Sequence, residues 1–552
     1  MVRPITDGFV PWSQEESERY RRAGWWAGRS LGDELWDVAA NRAEHPALVD
    51  GDIRLTYAEL AARSDAAAGR LLDLGLEPGD RLLVQLPNTW HFVVLSLACL
   101  RTGVVPIMAL PAHRELELAH LAQLSEARGI AVPSVWRGFD HQALAGKLAD
   151  ALPDLEHVLV AGGARDGSID LDVVCAGPEG RPPELASPSG GDIALFLLSG
   201  GTTGLPKLIS RTHQDYAYNA RCSAVTSGMS GDTVYLAALP ASHNFALACP
   251  GVLGTLLSGG TVVMLASPEP AGAFATIARE HVTHTAVVPA VAQRWMERRE
   301  QGAGDDLSSL EVLQVGGARI ADELARRVTP LLGCTLQQVF GMAEGLINMT
   351  RLDDPPDVIC STQGRPMSPG DEVRLVDIEG RGVGPDESGL LLTRGPYTPR
   401  GYYRAEEQNA RAFTPEGWYR SGDVCRTTPE GNLVVEGRDK DIINRGGEKV
   451  SAEVVENLAY QVADVREAAA VAMPDPVLGE RVCLYAVLRP GASLDLTSLR
   501  ARMTEAGVAA YMLPERLELC DEIPKTQVGK IDKKALRERV ARLAAAGELS
   551  AH

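Results

Sequence analysis

"RLLVQLPNTWHFVVLSLACLRTGVVPIMAL", Arg81 to Leu110, decides the fold class. "RLLVQL" is a short, nearly unbroken apolar run, the pattern of a strand buried on both faces. "NTWHFVVLSLACLR" then reads as a helix with Asn88 as its expected N-cap. Gly103 breaks it, and "VVPIMAL" is a second strand. Strand, helix, strand over so short a stretch makes a βαβ crossover, which pairs its strands in parallel. The rhythm recurs at "TVVMLA" (Thr261–Ala266) and "SPEPAGAFATIAREH", where Ser267 is expected to cap and Pro268 to occupy the first helical turn.

Further along, the pattern changes. From about residue 370 "DEVRLVD", "SGLLLTRG" and "GNLVVEG" are short strands between Gly and Pro turns, as in a small barrel or antiparallel sheet. Past Gly437 the chain alternates on a smaller scale: "SAEVVENLAY" and "SLRARMTEAG" read as helices, "REAAAVAM" and "RVCLYAVL" as strands. A domain boundary is expected at Gly437–Lys440. A chain of 552 residues exceeds one ordinary core, so at least two domains are expected.

The formal net charge of −19 disfavours a nucleic-acid surface, which needs a basic face. Nine cysteines stand singly, with no CxxC pair, as in a reducing cytoplasm. The opening residues carry no apolar core of the signal-peptide kind, and Phe92–Leu110 is interrupted by Arg101 and Pro106, so no membrane span is expected. His281 and His284 form an HxxH without further ligands in sight and read as ordinary residues at a helix end.

The chemistry starts at "SGGTTGLPK" (Ser199–Lys207), a glycine-rich loop leaving the apolar strand "DIALFLL". Such loops turn backbone N–H groups towards anions. It is not a Walker A loop, because Pro206 precedes Lys207 and no Ser or Thr follows. Four more stretches accompany it: "FGMAEG" (Phe340–Gly345), "YRSGD" (Tyr419–Asp423), "GRDKDIINRGGEKV" (Gly437–Val450) and "PKTQVGKIDKKAL" (Pro524–Leu536). In this order and spacing the set resembles the adenylate-forming superfamily of acyl-CoA synthetases, luciferases and peptide-synthetase adenylation domains, over almost the whole chain.

That resemblance implies an α/β fold. Residues 1–437 would form a large domain of two helix-covered parallel sheets plus a small β-barrel, and residues 438–552 a smaller, mobile α+β domain. It also implies ATP and Mg2+ as cofactors. Ser199, Gly200, Gly201, Thr202, Thr203, Gly204 and Lys207 would cradle the phosphates. Gly317, Ala318, Val339, Phe340 and Gly341 would surround the adenine, with Phe340 stacked on it. Glu344 would hold Mg2+, a hard cation suited to carboxylate oxygen. Asp423 would accept from the ribose hydroxyls, with Arg438 beside it. Lys530 would bridge carboxylate and α-phosphate, where negative charge crowds in the transition state. Lys440 would be the hinge, and Gly446, Gly447 and Lys449 would line the path of an incoming thiol.

Selectivity falls to "LPASHNFALACPG" (Leu239–Gly251), which, with "FVPWSQEESERYRRAGWW" and "RLDDPPDVICSTQGRPMSP", resembles the free-standing aryl-acid ligases. Amino-acid-activating relatives carry an Asp where this chain has the neutral Asn244, which points to an acid without an amine. His243 and Phe245 would pack on the ring, and Asn244 would bond the carboxylate or ortho-hydroxyl. Cys249, Gly316 and Ile347 would complete the pocket. Dihydroxybenzoate members generally have Tyr, Ser and Val where this chain has Phe245, Cys249 and Ile347. The changes remove polar partners for a 3-hydroxyl and favour salicylate. A 2,3-dihydroxybenzoate-AMP ligase, a heteroaryl acid such as 3-hydroxypicolinate and substituted salicylates stay open.

The implied product is an aryl adenylate passed to a separate aryl carrier protein with a phosphopantetheine arm, for a siderophore or aryl-capped peptide. Coenzyme A carries the same arm, so an aryl-CoA ligase stays open, as does a non-catalytic nucleotide or aryl-acid binding module.

Overall fold

The computed structural model describes residues 5–165, 167–178, 185–199, 205–445, 448–475, 478–505, 512–526 and 530–545. The strands Arg81–Val84 and Val105–Met108 lie in parallel, Arg81 opposite Val105 and Val84 opposite Met108, joined by the helix Trp90–Thr102. That helix is buried on almost every face and touches strands of both large sheets, so its apolar run reflects an interior position.

One large sheet has seven strands. Six run in parallel, from Ile193–Leu198 at one side to Ile169–Asp170 at the other, and the edge strand Leu208–Thr212 runs antiparallel to Ile193–Leu198. The other has nine strands. Its parallel centre includes Val234–Ala237, His284–Val287, Val312–Gly316 and Thr335–Met342, and its antiparallel edge includes Gly345–Met349. The α/β layering and parallel centres follow from βαβ units, whose helices cover both faces of each sheet.

Three local expectations are corrected. Asn88 does not cap the helix; Thr89 occupies that position without a side-chain cap bond. Asn88 is buried instead, donating to Ala237 O and Leu239 O, both at 2.8 Å, and accepting from Ala241 N at 2.8 Å. A buried amide satisfies more of its hydrogen-bonding capacity there than at a helix end. Similarly, the helix Pro270–Glu280 begins later than expected, with Glu269 at the cap and Pro270 in its first turn. Pro268 lies outside the helix, and its carbonyl accepts from Trp295 Nε1 at 2.9 Å.

The expected barrel is an open antiparallel sheet of four strands, Glu372–Val376, Gly389–Arg394, Tyr419–Thr427 and Leu433–Arg438. Closure is unnecessary because Leu375, Leu391, Cys425, Leu433 and Val435 are already buried in the main core. Chain membership changes sheets between Arg438, the last residue of that layer, and Ile442, the first strand residue of a five-stranded C-terminal sheet.

That sheet has its own cores. In Val465–Asp475, Ala468 and Ala470 pack beneath Val455, Ala459, Leu499 and Met503, while Ala469 and Val471 face Leu536 and Val540 on the opposite side. The strand therefore reads as continuous Ala/Val because both its faces are covered. Each fully buried Leu or Val in these layers contributes roughly 1.5–3 kcal/mol of transfer free energy.

Candidate active site

The glycine-rich loop returns as a strand, not a helix. Ser199 N donates to Lys207 O and Lys207 N to Ser199 Oγ, each at 3.0 Å, closing the neck of a hairpin between Ile193–Leu198 and Leu208–Thr212. Gly200, Gly201, Thr202, Thr203 and Gly204 lie outside the described residues. Beyond the neck, Lys207 places its ammonium 5.2 Å from the centre of the Tyr402 ring.

Tyr402 links this lysine to Glu344. Its hydroxyl donates to Glu344 Oε1 at 2.9 Å and lies 3.3 Å from the Tyr419 hydroxyl. Glu344 stands at the turn between Thr335–Met342 and Gly345–Met349, buried despite its charge. The turn needs Gly345: its φ is +113°, and a Cβ there would meet Thr398 Cα at 2.7 Å. A buried carboxylate bonded to a phenol, with Lys207 over the same phenol ring, fits a hard cation shared with phosphate oxygens. Among the described residues no three His, Cys, Asp or Glu gather into a metal-binding group, so Glu344 would be the chief protein ligand, with the nucleotide supplying the other oxygens.

Asp423 and Arg438 face each other across paired strands, with Arg438 Nε 2.7 Å from Asp423 Oδ1. The backbone N–H of Asp423 donates to Ser421 Oγ at 3.0 Å, and Arg438 Nη1 donates to Ser421 O at 3.0 Å. Burial pushes the Asp423 carboxyl up from the usual range, with Arg438 opposing. Asp423 Oδ2 is buried without a hydrogen-bond partner among the described residues. A buried acceptor left open in this way suits a hydroxyl-bearing ligand.

The C-terminal domain delivers Lys530 into the same region. With Leu239, Pro240, His243, Phe245, Val288 and Gly317 it lines a small, partly open cavity of about 20 Å3. Gly317 has φ +80°, and a Cβ there would lie 3.7 Å from Lys530 Cε. Burial and then Arg438 hold the lysine below its usual range, opposed by Asp423 and Glu344. The His243 imidazole is pushed down to about 4 by burial and by Lys530, so it is neutral at pH 7. Its Nδ1 accepts from Phe245 N at 3.3 Å, making His243 the cap of the short helix Asn244–Ala248. Asn88, through Ala237, Leu239 and Ala241, anchors the segment leading there.

The structure gathers His243, Phe245, Gly317 and Lys530 at one cavity. Asn244, Cys249, Gly316 and Ile347 stand outside its wall, buried in the surrounding core. Cys249 is buried, its thiol pushed up to about 12 by desolvation, which removes it as a nucleophile. Gly316 lies under the Phe245 ring: a Cβ would meet Phe245 Cζ at 2.9 Å and Val339 O at 2.7 Å. Val339, Phe340 and Gly341 follow along the neighbouring strand, Phe340 half-buried and Gly341 exposed, and Ala318 is exposed beside Gly317. Lys440 lies in the 3-10 turn Asp439–Asp441 and Lys449 in the strand Glu448–Ser451; their side chains, and all of Gly446 and Gly447, lie outside the described residues. His281 ends a helix, and His284 is buried with Nε2 3.1 Å from Ser227 O.

Two features escaped the sequence reading. Tyr402 carries no motif, though "GYYR" (Gly401–Arg404) marks aromatic residues beside a charge. Arg211 and Asp215 form a fully buried ion pair, with Nε and Nη2 of the arginine 2.7 Å from Asp215 Oδ1. Arg211 Nη1 also donates to Ala343 O at 3.3 Å, next to Glu344. A charged residue inside the apolar strand "LISRT", with its counter-charge four residues on, was the available signal.

Lys207 and Glu344 on either side of Tyr402, an open acceptor at Asp423 and Lys530 at the cavity fit an adenylate-forming enzyme. The chain belongs to the AMP-binding enzyme family, whose model matches residues 35–403, followed by the AMP-binding enzyme C-terminal domain over residues 454–530. Within the family it stands among the aryl acid-AMP ligases. It is 58% identical to a salicylyl-CoA synthase / salicylate adenylyltransferase of a Streptomyces species, over 97% of this chain and 98% of that protein. It is 46% identical to the salicyl-AMP ligase / salicyl-S-ArCP synthetase of Mycobacterium tuberculosis, over 97% of this chain and 95% of that protein. The apo structure of Mycobacterium smegmatis MbtA matches with a TM-score of 0.74 at 47% identity, covering 96% of this chain and 99% of that one. No described helix is long and apolar enough to cross a membrane.

Proposed function

We propose that this enzyme activates salicylate with Mg·ATP, releasing pyrophosphate, and then passes the salicyl group to the phosphopantetheine thiol of a separate aryl carrier protein, in siderophore or aryl-capped peptide biosynthesis. The observation that carries the choice of acid is the cavity where Lys530 meets the aromatic wall of Phe245. Phe245 has no hydroxyl to partner a 3-hydroxyl, and Cys249 behind it is a buried, neutral thiol.

In this reading Lys207 and the loop from Ser199 hold the phosphates and Asp423 accepts from the ribose. Bound to Glu344, Mg2+ supplies charge neutralisation at the phosphate oxygens. Lys530 holds the carboxylate against the α-phosphorus; one carboxylate oxygen forms the new P–O bond as the bond to the pyrophosphate oxygen breaks. Neutral His243 packs against the ring and adds no positive charge to compete with Lys530. Residues 438–552 act as the moving unit, with Lys440 as hinge and Gly446, Gly447 and Lys449 along the thiol path, so that Lys530 leaves before the thiol attacks the acyl carbon and AMP departs.

A second acceptor, coenzyme A, is favoured by the name of the 58% identical relative. ATP–pyrophosphate exchange across salicylate, 2,3-dihydroxybenzoate, benzoate, 3-hydroxypicolinate, a fatty acid and amino acids tests the first half-reaction. Fastest exchange with salicylate is expected; preference for dihydroxybenzoate overturns the pocket argument. Transfer from preformed salicyl adenylate to a holo carrier protein or to CoA then separates the acceptors.

A further inference from the structure

Tyr216 belongs to no motif, yet it is fully buried and its hydroxyl donates to Asn244 Oδ1 at 2.9 Å. A chain of contacts fixes that donor. The Arg211 guanidinium lies 4.6 Å from the ring centre, and Asp215 holds the guanidinium in place by its 2.7 Å bond from Nε. Asp215 is held in turn by Thr212, whose Oγ1 donates to Oδ2 at 2.8 Å. A cation on a phenol ring withdraws electron density, which makes the hydroxyl a stronger donor and a poorer acceptor. The amide of Asn244 therefore turns its oxygen to Tyr216 and is left with Nδ2, a donor that bonds to none of the described residues. Asn244 does not line the cavity itself; it lies buried behind it, in the chain between His243 and Phe245, which do.

We propose that Tyr216 is a specificity-determining positioning residue: by occupying Asn244 Oδ1 it makes Asn244 present N–H, and only N–H, to an aryl acid whose ring seats past Phe245. The inference rests on the aryl-acid reading given above and deepens it. An amide that offers a donor selects an ortho substituent that accepts. A phenolic oxygen does so; the conjugated nitrogen of an ortho-amine accepts poorly, and unsubstituted benzoate offers nothing. The consequence is discrimination against anthranilate as well as benzoate, without any charged residue in the pocket. Without the Tyr216 hydroxyl the amide is free to turn its oxygen outward and receive an amine.

The test is Tyr216→Phe, which removes one oxygen and retains the ring on Arg211. The kcat/KM of ATP–pyrophosphate exchange is measured with salicylate, anthranilate and benzoate in the unaltered enzyme, Y216F, N244A and the double variant. In Y216F the salicylate-to-anthranilate ratio is expected to fall about tenfold, with benzoate nearly unchanged, the loss expected for one oriented hydrogen bond. In the N244A background the same substitution should leave the ratio as it was, since its agent is gone. A uniform loss with all three acids, or an equal effect in both backgrounds, overturns the proposal and leaves Tyr216 a packing residue. If the unaltered enzyme exchanges with none of the acids, the aryl-acid reading fails and this inference with it. An active enzyme with an unmoved ratio sinks the inference alone.

Discussion

Replacing Gly316 by alanine adds one methyl group against the back of the Phe245 ring. Gly316 ends the strand Val312–Gly316 and pairs with Val339. Its new Cβ would lie 2.7 Å from Val339 O, 2.9 Å from Phe245 Cζ and 3.0 Å from Phe245 Cε1. Carbon contacts settle near 3.5–4.0 Å, so each neighbour must retreat by roughly 0.5 Å or more. Val339 O belongs to the sheet ladder and is the stiffer of the two. Phe245 yields instead, and its ring already forms a wall of the cavity. Overpacking of this kind costs about 1–3 kcal/mol. If about half of that appears as occlusion, about 0.5–1.5 kcal/mol, the KM for salicylate rises about two- to tenfold, since about 1.4 kcal/mol is a factor of ten. The nucleotide KM should stay within about twofold. The assay is pyrophosphate exchange with acid and ATP varied separately, alongside a thermal melt. Phe245→Leu in the Gly316→Ala background should restore much of the acid KM by vacating the contested space. An unchanged acid KM, or a double variant no better than the single, would refute the reasoning.

Three further outcomes are expected. Tyr402→Phe removes the donor to the Glu344 carboxylate; bonds to charged groups contribute about 1.5–3 kcal/mol, so the Mg2+ concentration for half-maximal exchange should rise at least about tenfold. Lys530→Ala should lower salicylate adenylation by roughly 10²–10³-fold while preformed salicyl adenylate is still transferred to thiol; equal loss of both steps contradicts its role. His213 is fully buried, with its imidazole pushed down to about 4 by desolvation and Nδ1 accepting from Leu31 N at 3.2 Å. The folded state resists protonation while the unfolded state takes up protons near pH 6.5, so stability falls as pH drops from about 6.5 to 4, by up to about 3 kcal/mol for this group. Urea titrations of His213→Asn, whose amide oxygen can accept from Leu31, should show a shallower acid loss, the remainder shared by the other histidines that burial holds down, His141 and His243 at about 4 among them.

The sequence yields most where local pattern and buried position coincide. Apolar runs such as Arg81–Val84 and Val105–Met108 become parallel strands because both their faces are covered, and "FGMAEG" forms the turn that carries Glu344. It misleads at Asn88, where cap chemistry competes with a tertiary site able to use more of the amide, and at the four-stranded layer, where an already covered face makes barrel closure unnecessary. It is silent on Tyr402, whose partner Glu344 lies far away in the chain, and on Arg211 and Asp215, residue types that ordinarily remain exposed. Their burial becomes visible only once Ala343 and Tyr216 are seen to converge on them.

The guanidinium of Arg211 carries the phenol behind Asn244 and also braces the carbonyl before Glu344. The two sides of the acid pocket are thus unequal targets for redesign. Phe245 and Cys249 belong to an apolar wall that can be exchanged to admit bulkier rings with the nucleotide machinery left alone. The Tyr216 side is anchored to the turn that carries Glu344, so swaps there trade substrate range against turnover. Laboratory libraries aimed at new aryl building blocks have more freedom on the first wall than on the second.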